Sequence, residues 1–432
     1  MTASSRRPSP QVAYADWVAA CAAAGWHAHA GRVAEQVPVQ DALGRVSAAA
    51  VRARWPSPRF ACAAMDGIAV AFDSLESSAG AGAGAGERVS LPASAVTWVD
   101  TGDPMPAGAD SVVERERVEL SADGGVVVSG PVTRGRNVRP IGEDFQAGQL
   151  LIPAGRRLRP ADLGAAAAAG CAALAVARRP VVAIIPTGDE IRAVGSVLGP
   201  GEFTDSNSPM LAARAVWVGA VPIATEVQPD DPDTLAAAVR EAALTADLVL
   251  VIAGSSRGRG DYTAAVLAQV GGVAVAGVAV RPGHPVLLGH AKTGRSGYAP
   301  PDGTRASAVP VIGVPGYPLA AAVIFELFAA PLLAELTGRV FPERPLVLAR
   351  LARDFDSPPD VEEWVPVSLS GAGAADDVRE EPSRRLAEAT PGEGHGAGSL
   401  SRLVRADAWW PIPIGQGHFA RGDSIEVLPL GD

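Results

Sequence analysis

Residues 246–261 read ADLVLVIAGSSRGRGD, and this stretch decides the fold. Leu248–Ile252 is an apolar run with no alternation. Such a strand is buried on both faces, as strands are inside a parallel sheet covered by helices. The run stops at a glycine- and arginine-rich loop, and helical spacing follows from Asp261 to residue 270. The device occurs twice more. VVAII at 181–185 runs into Pro186-Thr187-Gly188-Asp189-Glu190, with a helix expected over 208–218, and VIGVPG at 311–316 runs into an apolar helix over 319–333. A short strand at 221–225 and a helix at 234–244 fit between them. Strand, glycine loop and helix, repeated, predict an open parallel sheet. Ligands of such sheets sit beyond the carboxyl ends of the strands, where all three loops fall.

The loops carry the chemistry. Gly188 can adopt positive φ and lets a ligand approach the backbone, and a following helix start offers unpaired N–H groups to an anion. Asp189 and Glu190 repel an anion unless one of them carries Mg²⁺ bridging to a phosphate; the other reading is that they cap the local helix. In 254–261, Gly254, Ser255, Ser256, Gly258 and two arginines form a nest able to wrap oxyanions, with Asp261 closing the loop. RPGHP at 281–285 places a fixed cation, Arg281, and a titratable imidazole, His284, on a rigid turn. Pro315 and Gly316 end the third strand before Tyr317. Asp205, Ser206 and Asn207 precede a helix and either cap it or meet the ligand. Turns around Asp66, Thr101 and Asp144 are candidate contacts from outside the sheet.

At 432 residues the chain is long enough for about two to four domains. Hydrophobic residues make up 48% and charged residues 19%, which argues for packed cores rather than long disordered tails. The net charge of −10 argues against nonspecific nucleic-acid binding, so an anionic ligand must be held by local loops. The three cysteines, Cys21, Cys62 and Cys171, are far apart and read as small buried hydrophobes rather than a disulfide or metal framework. Arg6-Arg7 is followed by Pro8, Pro10 and Asp16, so no secretory h-region forms. The Ala-rich run 163–177 is shorter than the ~20 residues of a spanning helix, and a soluble, cytoplasmic protein without membrane or nucleic-acid partners is expected.

Elsewhere the spacing predicts a helix near the start, with Val12, Trp17, Val18, Cys21 and Trp26 on one face, and a second short helix over 39–46. Short β-type runs at 67–70, 96–99, 111–113 and 126–128 surround a flexible loop at 77–86, and helix returns at 160–177. After Pro342, β-type runs at 346–351, 365–369, 409–414 and 424–428 enclose a polar, Gly-rich segment at 371–398, a mobile loop or a hairpin. The fold class is multidomain α/β plus β. A helical and extended domain spans 1–50 and 140–177, an inserted mostly-β domain 51–139, a central parallel α/β domain 178–335, and a small barrel-like C-terminal β domain 340–432.

Taken together and in order, AMDGIAV (64–70), TGDPMPAGADSVV (101–113), RPIGEDFQAGQLLIPAG (139–155), PVVAIIPTGDEI (180–191), TDSNSPML (204–211), the serine/glycine loop with Asp261, RPGHP and GVPGYPLAAAVIFELF (313–328) resemble the molybdopterin molybdenumtransferase family, MoeA and the E domain of gephyrin. The resemblance covers residues 10–335 well and the last hundred loosely. It implies a molybdopterin-binding α/β domain, an elongated homodimer with its cleft between subunits, and Mg²⁺-dependent insertion of molybdate into adenylylated molybdopterin with release of AMP. Other proteins of molybdenum cofactor biosynthesis are implied partners. Asp66, Thr101, Asp144, Glu190 and Asp261 take catalytic positions by this resemblance, with Asp205 also in the cleft. Asp189, Glu190 and Asp261 are the implied metal ligands. Thr187, Gly188, Asp189, Asp205, Ser206, Asn207, the 254–258 loop, Arg281, His284, Pro315 and Gly316 face substrate. The chain departs from the family where lysines become Arg281 and His284, asparagine becomes Tyr317, serine becomes Ala320 and the first glycine of the serine/glycine loop becomes Ala253. Those departures leave two other readings, a cofactor-binding carrier or scaffold without turnover and an insertase that prefers tungstate.

Overall fold

The computed structural model describes residues 7–26, 34–79, 88–252, 260–293, 307–339, 345–371, 386–392 and 397–430. The chain divides into two compact units, Gln36–Val176 and Met1–Glu35 with Ala177–Asp432.

The larger unit is built on a six-stranded sheet and a barrel. Its strands are β1 (Val181–Pro186), β2 (Val221–Ala224), β3 (Leu248–Ile252), β4 (Gly271–Ala276), β5 (Val280–Arg281), β6 (Leu287–Lys292), β7 (Ala308–Val314), β8 (Val347–Leu351), β9 (Glu362–Ser370), β10 (Ala387–Pro391), β11 (Ala408–Ile412) and β12 (Ser424–Pro429). Its helices are α1 (Pro10–Ala23), α2 (Asn207–Trp217), α3 (Pro232–Ala243), α4 (Gly260–Val270) and α5 (Pro318–Thr337).

The sheet runs β2-β1-β3-β7-β6-β4. β1, β2, β3 and β7 are parallel, so their carboxyl ends lie along one edge. Side chains alternate between two cores. Ile184, Leu250 and Ile312 pack toward α1, α2 and α5, while Ile185, Val251 and Val311 pack toward α3 and α4. Both faces being covered is why the sequence runs are apolar throughout. Each fully buried Ile, Leu or Val contributes about 1.5–3 kcal/mol. α2 and α3 start where the sequence places polar cappers: Asp231 accepts from Thr234 N at 2.8 Å, and Asp205 from Ser208 N at 3.0 Å.

The sheet is mixed, which corrects the expectation of a parallel one. β6 pairs antiparallel with both β7 and β4. Only residues 277–286 separate β4 from β6, too few for the helical crossover a parallel neighbour needs. β4 and β6 were missed because their glycines and small residues interrupt the apolar run.

The C-terminal strands close as β9-β10-β8-β12-β11-β9, a five-stranded barrel. β5 adds to its edge, Val280 beside Glu362 and Arg281 beside Glu363. β10 falls in the stretch read as a mobile loop or hairpin; residues 372–385 and 393–396 lie outside the described residues. α5 is long and apolar enough to cross a membrane, but 83% of its apolar window is buried in this core. α1 also joins this core: Trp17 Nε1–H donates to Gly289 O at 2.7 Å, whereas Val12 faces outward.

The smaller unit holds short antiparallel sheets. Gly67–Val70 lies between Thr97–Val99 and Ser111–Glu114, and Val126–Val128 between Val89–Leu91 and Val118–Leu120. The expected helix at 39–46 is only a 3₁₀ turn, Val39–Asp41, and the expected helix at 160–177 ends at Ala168 before a strand, Ala173–Ala177. Gly170 stops it with φ +87°. Residues 77–79 of the expected flexible loop end a helix, Phe72–Ala79, and residues 80–87 lie outside the described residues. Cys21, Cys62 and Cys171 are free and buried, as read from the sequence.

Candidate active site

Three strand ends meet at the carboxyl edge of the parallel strands. After β1 the chain turns at Thr187, whose N–H and hydroxyl both donate to Ile252 O, at 3.0 and 3.1 Å. That ties the end of β1 to the end of β3. Gly188 follows with φ +138°; a Cβ there would meet Ile191 Cγ1 at 2.7 Å and Glu190 Oε2 at 3.1 Å. Asp189 exchanges bonds with Asp230, each backbone N–H donating to the other's carboxylate at 3.1 Å. Glu190 behaves differently. Its Oε1 is buried and has no hydrogen-bond partner among the described residues.

The loop returns through a parallel pair, Ile191–Arg192 with Phe203–Thr204, and delivers Asp205 to the start of α2. Asp205 therefore caps, as one of its two readings held. Asn207 is buried, and its Nδ2 donates to Gly316 O at 2.7 Å, joining the start of α2 to the end of β7. Asn207 Oδ1 and Ser208 Oγ, also buried, have no hydrogen-bond partner among the described residues. Three buried oxygens without partners at one sheet edge are unusual, because such atoms are almost always satisfied. Gly254, Ser255, Ser256 and Gly258 lie outside the described residues; of Asp261 only the backbone is described, in the first turn of α4.

Arg281 and His284 lie beside Pro315 in a cavity of about 930 Å³. Arg353 and Glu363 from the barrel and Arg402 from a short helix, Leu400–Val404, line it too, with the carboxylates Asp354, Asp356 and Asp360, Tyr317 of the third loop, Leu319 and Ala320 of α5, and Arg7 from the N-terminal segment. Arg281 Nε lies 3.5 Å from Glu363 Oε1, and Glu363 Oε2 is buried with no hydrogen-bond partner among the described residues. Arg402 Nη2 donates to Gly392 O at 3.3 Å while its Nε has no partner among the described residues. Burial lowers the pKa of Arg402, Glu363 opposes this, and the nearby Arg281 and Arg353 lower it further. Cations crowded together in this way gain from an anion between them. Burial, then Arg7, lowers the pKa of His284, so the imidazole is neutral at pH 7. Arg353, Glu363 and Arg402 were missed by sequence reasoning. They stand in and beside a barrel with no recognisable motif, and no local signal marks them.

Asp66, Thr101 and Asp144 belong to the smaller unit. Thr101 N–H and hydroxyl both donate to the exposed Asp66 Oδ1 at 2.7 Å. Those bonds, the hydroxyl's first and the backbone's second, lower the Asp66 pKa, with Arg115 adding to the effect. Asp144 is exposed, and its N–H donates to Ser57 O at 2.9 Å.

Comparison with known proteins places these features in context. Residues 16–170 match the MoeA N-terminal region (domain I and II), 183–335 the probable molybdopterin binding domain, and 348–430 the MoeA C-terminal region (domain IV). The chain is 30% identical over 410 residues to a molybdopterin molybdenumtransferase of Nostoc sp., covering 92% of this chain and 88% of that one. It is 32% identical over 339 residues to molybdopterin molybdenumtransferase 2 of Mycobacterium tuberculosis, covering 74% and 80%. Among solved structures it is similar to the molybdopterin biosynthesis MoeA protein from Pyrococcus horikosii, with a TM-score of 0.77, 26% identity and coverage of 98% and 99%.

Proposed function

This chain belongs to the MoeA family of molybdopterin molybdenumtransferases, and from that premise we propose that it inserts molybdate into adenylylated molybdopterin with release of AMP, assisted by Mg²⁺. Its place in molybdenum cofactor biosynthesis and its use of molybdopterin follow from the family. The observation that carries the finer reading is the cavity where Arg281, Arg353 and Arg402 converge beside Pro315. Guanidinium groups bind tetrahedral oxyanions through paired N–H donors, which is what molybdate requires.

The strand-end loops take the pterin and its pyrophosphate. The positive φ of Gly188 lets a ligand approach the backbone closely, and Asn207 Oδ1 and Ser208 Oγ at the start of α2 are available to hydrogen-bond it. A polyanion beside Asp189 and Glu190 needs positive charge between them. Glu190 Oε1 fits that need, since a buried carboxylate oxygen without a donor suits a hard cation; Asp189 offers the oxygen that Asp230 does not use. Mg²⁺ held there supplies charge neutralisation for the phosphate oxygens. Thr187 ties the end of β1 to the end of β3 and so sets the floor of this substrate site. His284, neutral at pH 7, contributes hydrogen bonding more than charge to the oxyanion.

We further take the protein to be a cytoplasmic homodimer with the domain boundaries read from the sequence, in which Asp261 acts with the strand-end loops of one protomer and Asp66, Thr101 and Asp144 act from the other. Light scattering of the purified chain checks the dimer. For the reaction, the protein is supplied with adenylylated molybdopterin, molybdate and Mg²⁺, and AMP and molybdenum cofactor are quantified together. AMP equal to the cofactor formed, lost on chelation and lowered by Glu190→Gln, is expected. Cofactor formed without AMP refutes the adenylylated substrate. Tungstate competing better than molybdate refutes the choice of metal.

A further inference from the structure

We propose that the buried ion pair between Arg214 and Glu326 is a positioning device that sets the α2 start against the third loop, and so controls the rate of the transferase reaction. Glu326 is almost fully buried, its side chain 2% exposed, and Arg214 reaches it from a partly buried position, 21% exposed. It joins α2 to α5 inside the core cluster formed by Leu211, Ala215, Phe325 and Phe328.

Both helices begin at site loops. Asn207 opens α2, and Gly316 stands two residues before Pro318, which opens α5. Their hydrogen bond at 2.7 Å pins the helices at the site end. Arg214 follows Asn207 by seven residues, which is about two turns and the same helix face. The two connections therefore fix the helices at two points about 10 Å apart, and two fixed points set an angle where one does not.

Glu326 also lies in a π turn, Phe325–Ala329, where the Ala330 N–H bonds to Phe325 O. A π turn inserts a residue into the helix, and such turns concentrate at functional sites. The pair is poorly designed for stability. Glu326 Oε2 has no hydrogen-bond partner among the described residues, and the Glu326 carboxylate was taken out of water to make the pair. An apolar pair of matching size would hold the core as well. What an apolar pair lacks is direction.

The inference rests on the strand-end loops being the substrate site, so the experiment includes a control for that reading. Arg214→Met/Glu326→Leu is compared with Asn207→Ala by melting, by kcat and KM for cofactor formation, and by crystallography. The double variant is expected to melt close to wild type with kcat lowered about 10- to 100-fold, since a 1 Å misplacement costs on that order. KM for molybdopterin should change several-fold less than kcat, and Asn207 Nδ2 to Gly316 O should lengthen. Arg214→Lys, which keeps the charge, is expected to retain most of the rate. A folded double variant with wild-type kcat overturns the proposal. If it does not fold, Glu326→Asp decides: native melting with full kcat overturns the proposal, and native melting with lowered kcat supports it. Wild-type kinetics for Asn207→Ala would instead remove the site reading beneath it.

Discussion

Arg281 and Glu363 share a cavity and carry opposite charge, so they make opposite predictions for the same measurement. At about 4 Å, a unit charge pair gains about 4 kcal/mol at an effective dielectric of 20 and about 1 kcal/mol in bulk water. The Arg281 side chain is 45% exposed, so the value belongs in the lower half of that interval. With about 2 kcal/mol lost, Arg281→Ala should raise the molybdate concentration for half-maximal rate roughly 30-fold. Part of that loss comes from leaving the Glu363 carboxylate unopposed. Glu363→Gln removes the repulsion and should lower the requirement by about fivefold, about 1 kcal/mol. The double variant should fall between, with its deviation from additivity measuring the pair. Cofactor formation is followed against molybdate at saturating molybdopterin, then against molybdopterin at saturating molybdate. Both substitutions moving the molybdate requirement in the same direction, or moving both substrates equally, refutes the assignment of this cavity to the oxyanion.

Three other tests follow from particular contacts. Gly283→Ala introduces a Cβ 2.9 Å from Ile324 Cδ1 at φ +116°, and should cost about 1–3 kcal/mol, visible as a lower melting temperature; an unchanged melting temperature contradicts the packing described. Thr101→Val removes the hydroxyl that lowers the Asp66 pKa, so the carboxyl should titrate at higher pH by carbon NMR, and no movement refutes the bond. The native carboxylate's contribution is present above the unfolded pKa and is lost as pH falls through the lowered native value. For His284 the native pKa is depressed, so the unfolded chain binds the proton more readily. Stability should fall as pH drops through and below about 6.5 and level off above, and His284→Gln should flatten that slope. A slope unchanged in the variant assigns it to other groups.

How much the sequence could say depended on how local the cause was. Apolar runs buried on two faces announce themselves, and β1, β3 and β7 were readable with the loops that end them. β4 and β6 were not, because antiparallel pairing is set by a short connection rather than by composition. Asp205 left two readings open, and only the bond to Ser208 N decides that it caps. Arg353 and Arg402 could not be found at all. Their chemistry exists only where barrel closure brings them within one cavity, a long-range event that no window of residues contains. Glu326 is one of two carboxylates, with Glu335, in the apolar helix α5, and Arg214 follows Asn207 by seven residues; neither was singled out by the sequence reading. Nothing in the chain paired them before the packing of α2 on α5 was known.

β5 is two residues long, yet Arg281 stands on it, hydrogen-bonded alongside the barrel strand β9. The arginine proposed to meet the oxyanion therefore inherits its position from the barrel as much as from the sheet. Arg353 and Glu363 arrive from the barrel as well. The barrel thus works as a cassette. On the proposed assignment, reshaping the barrel would shift the oxyanion requirement and spare the pterin's, because the strand-end loops are tied separately, through Thr187 and Asn207.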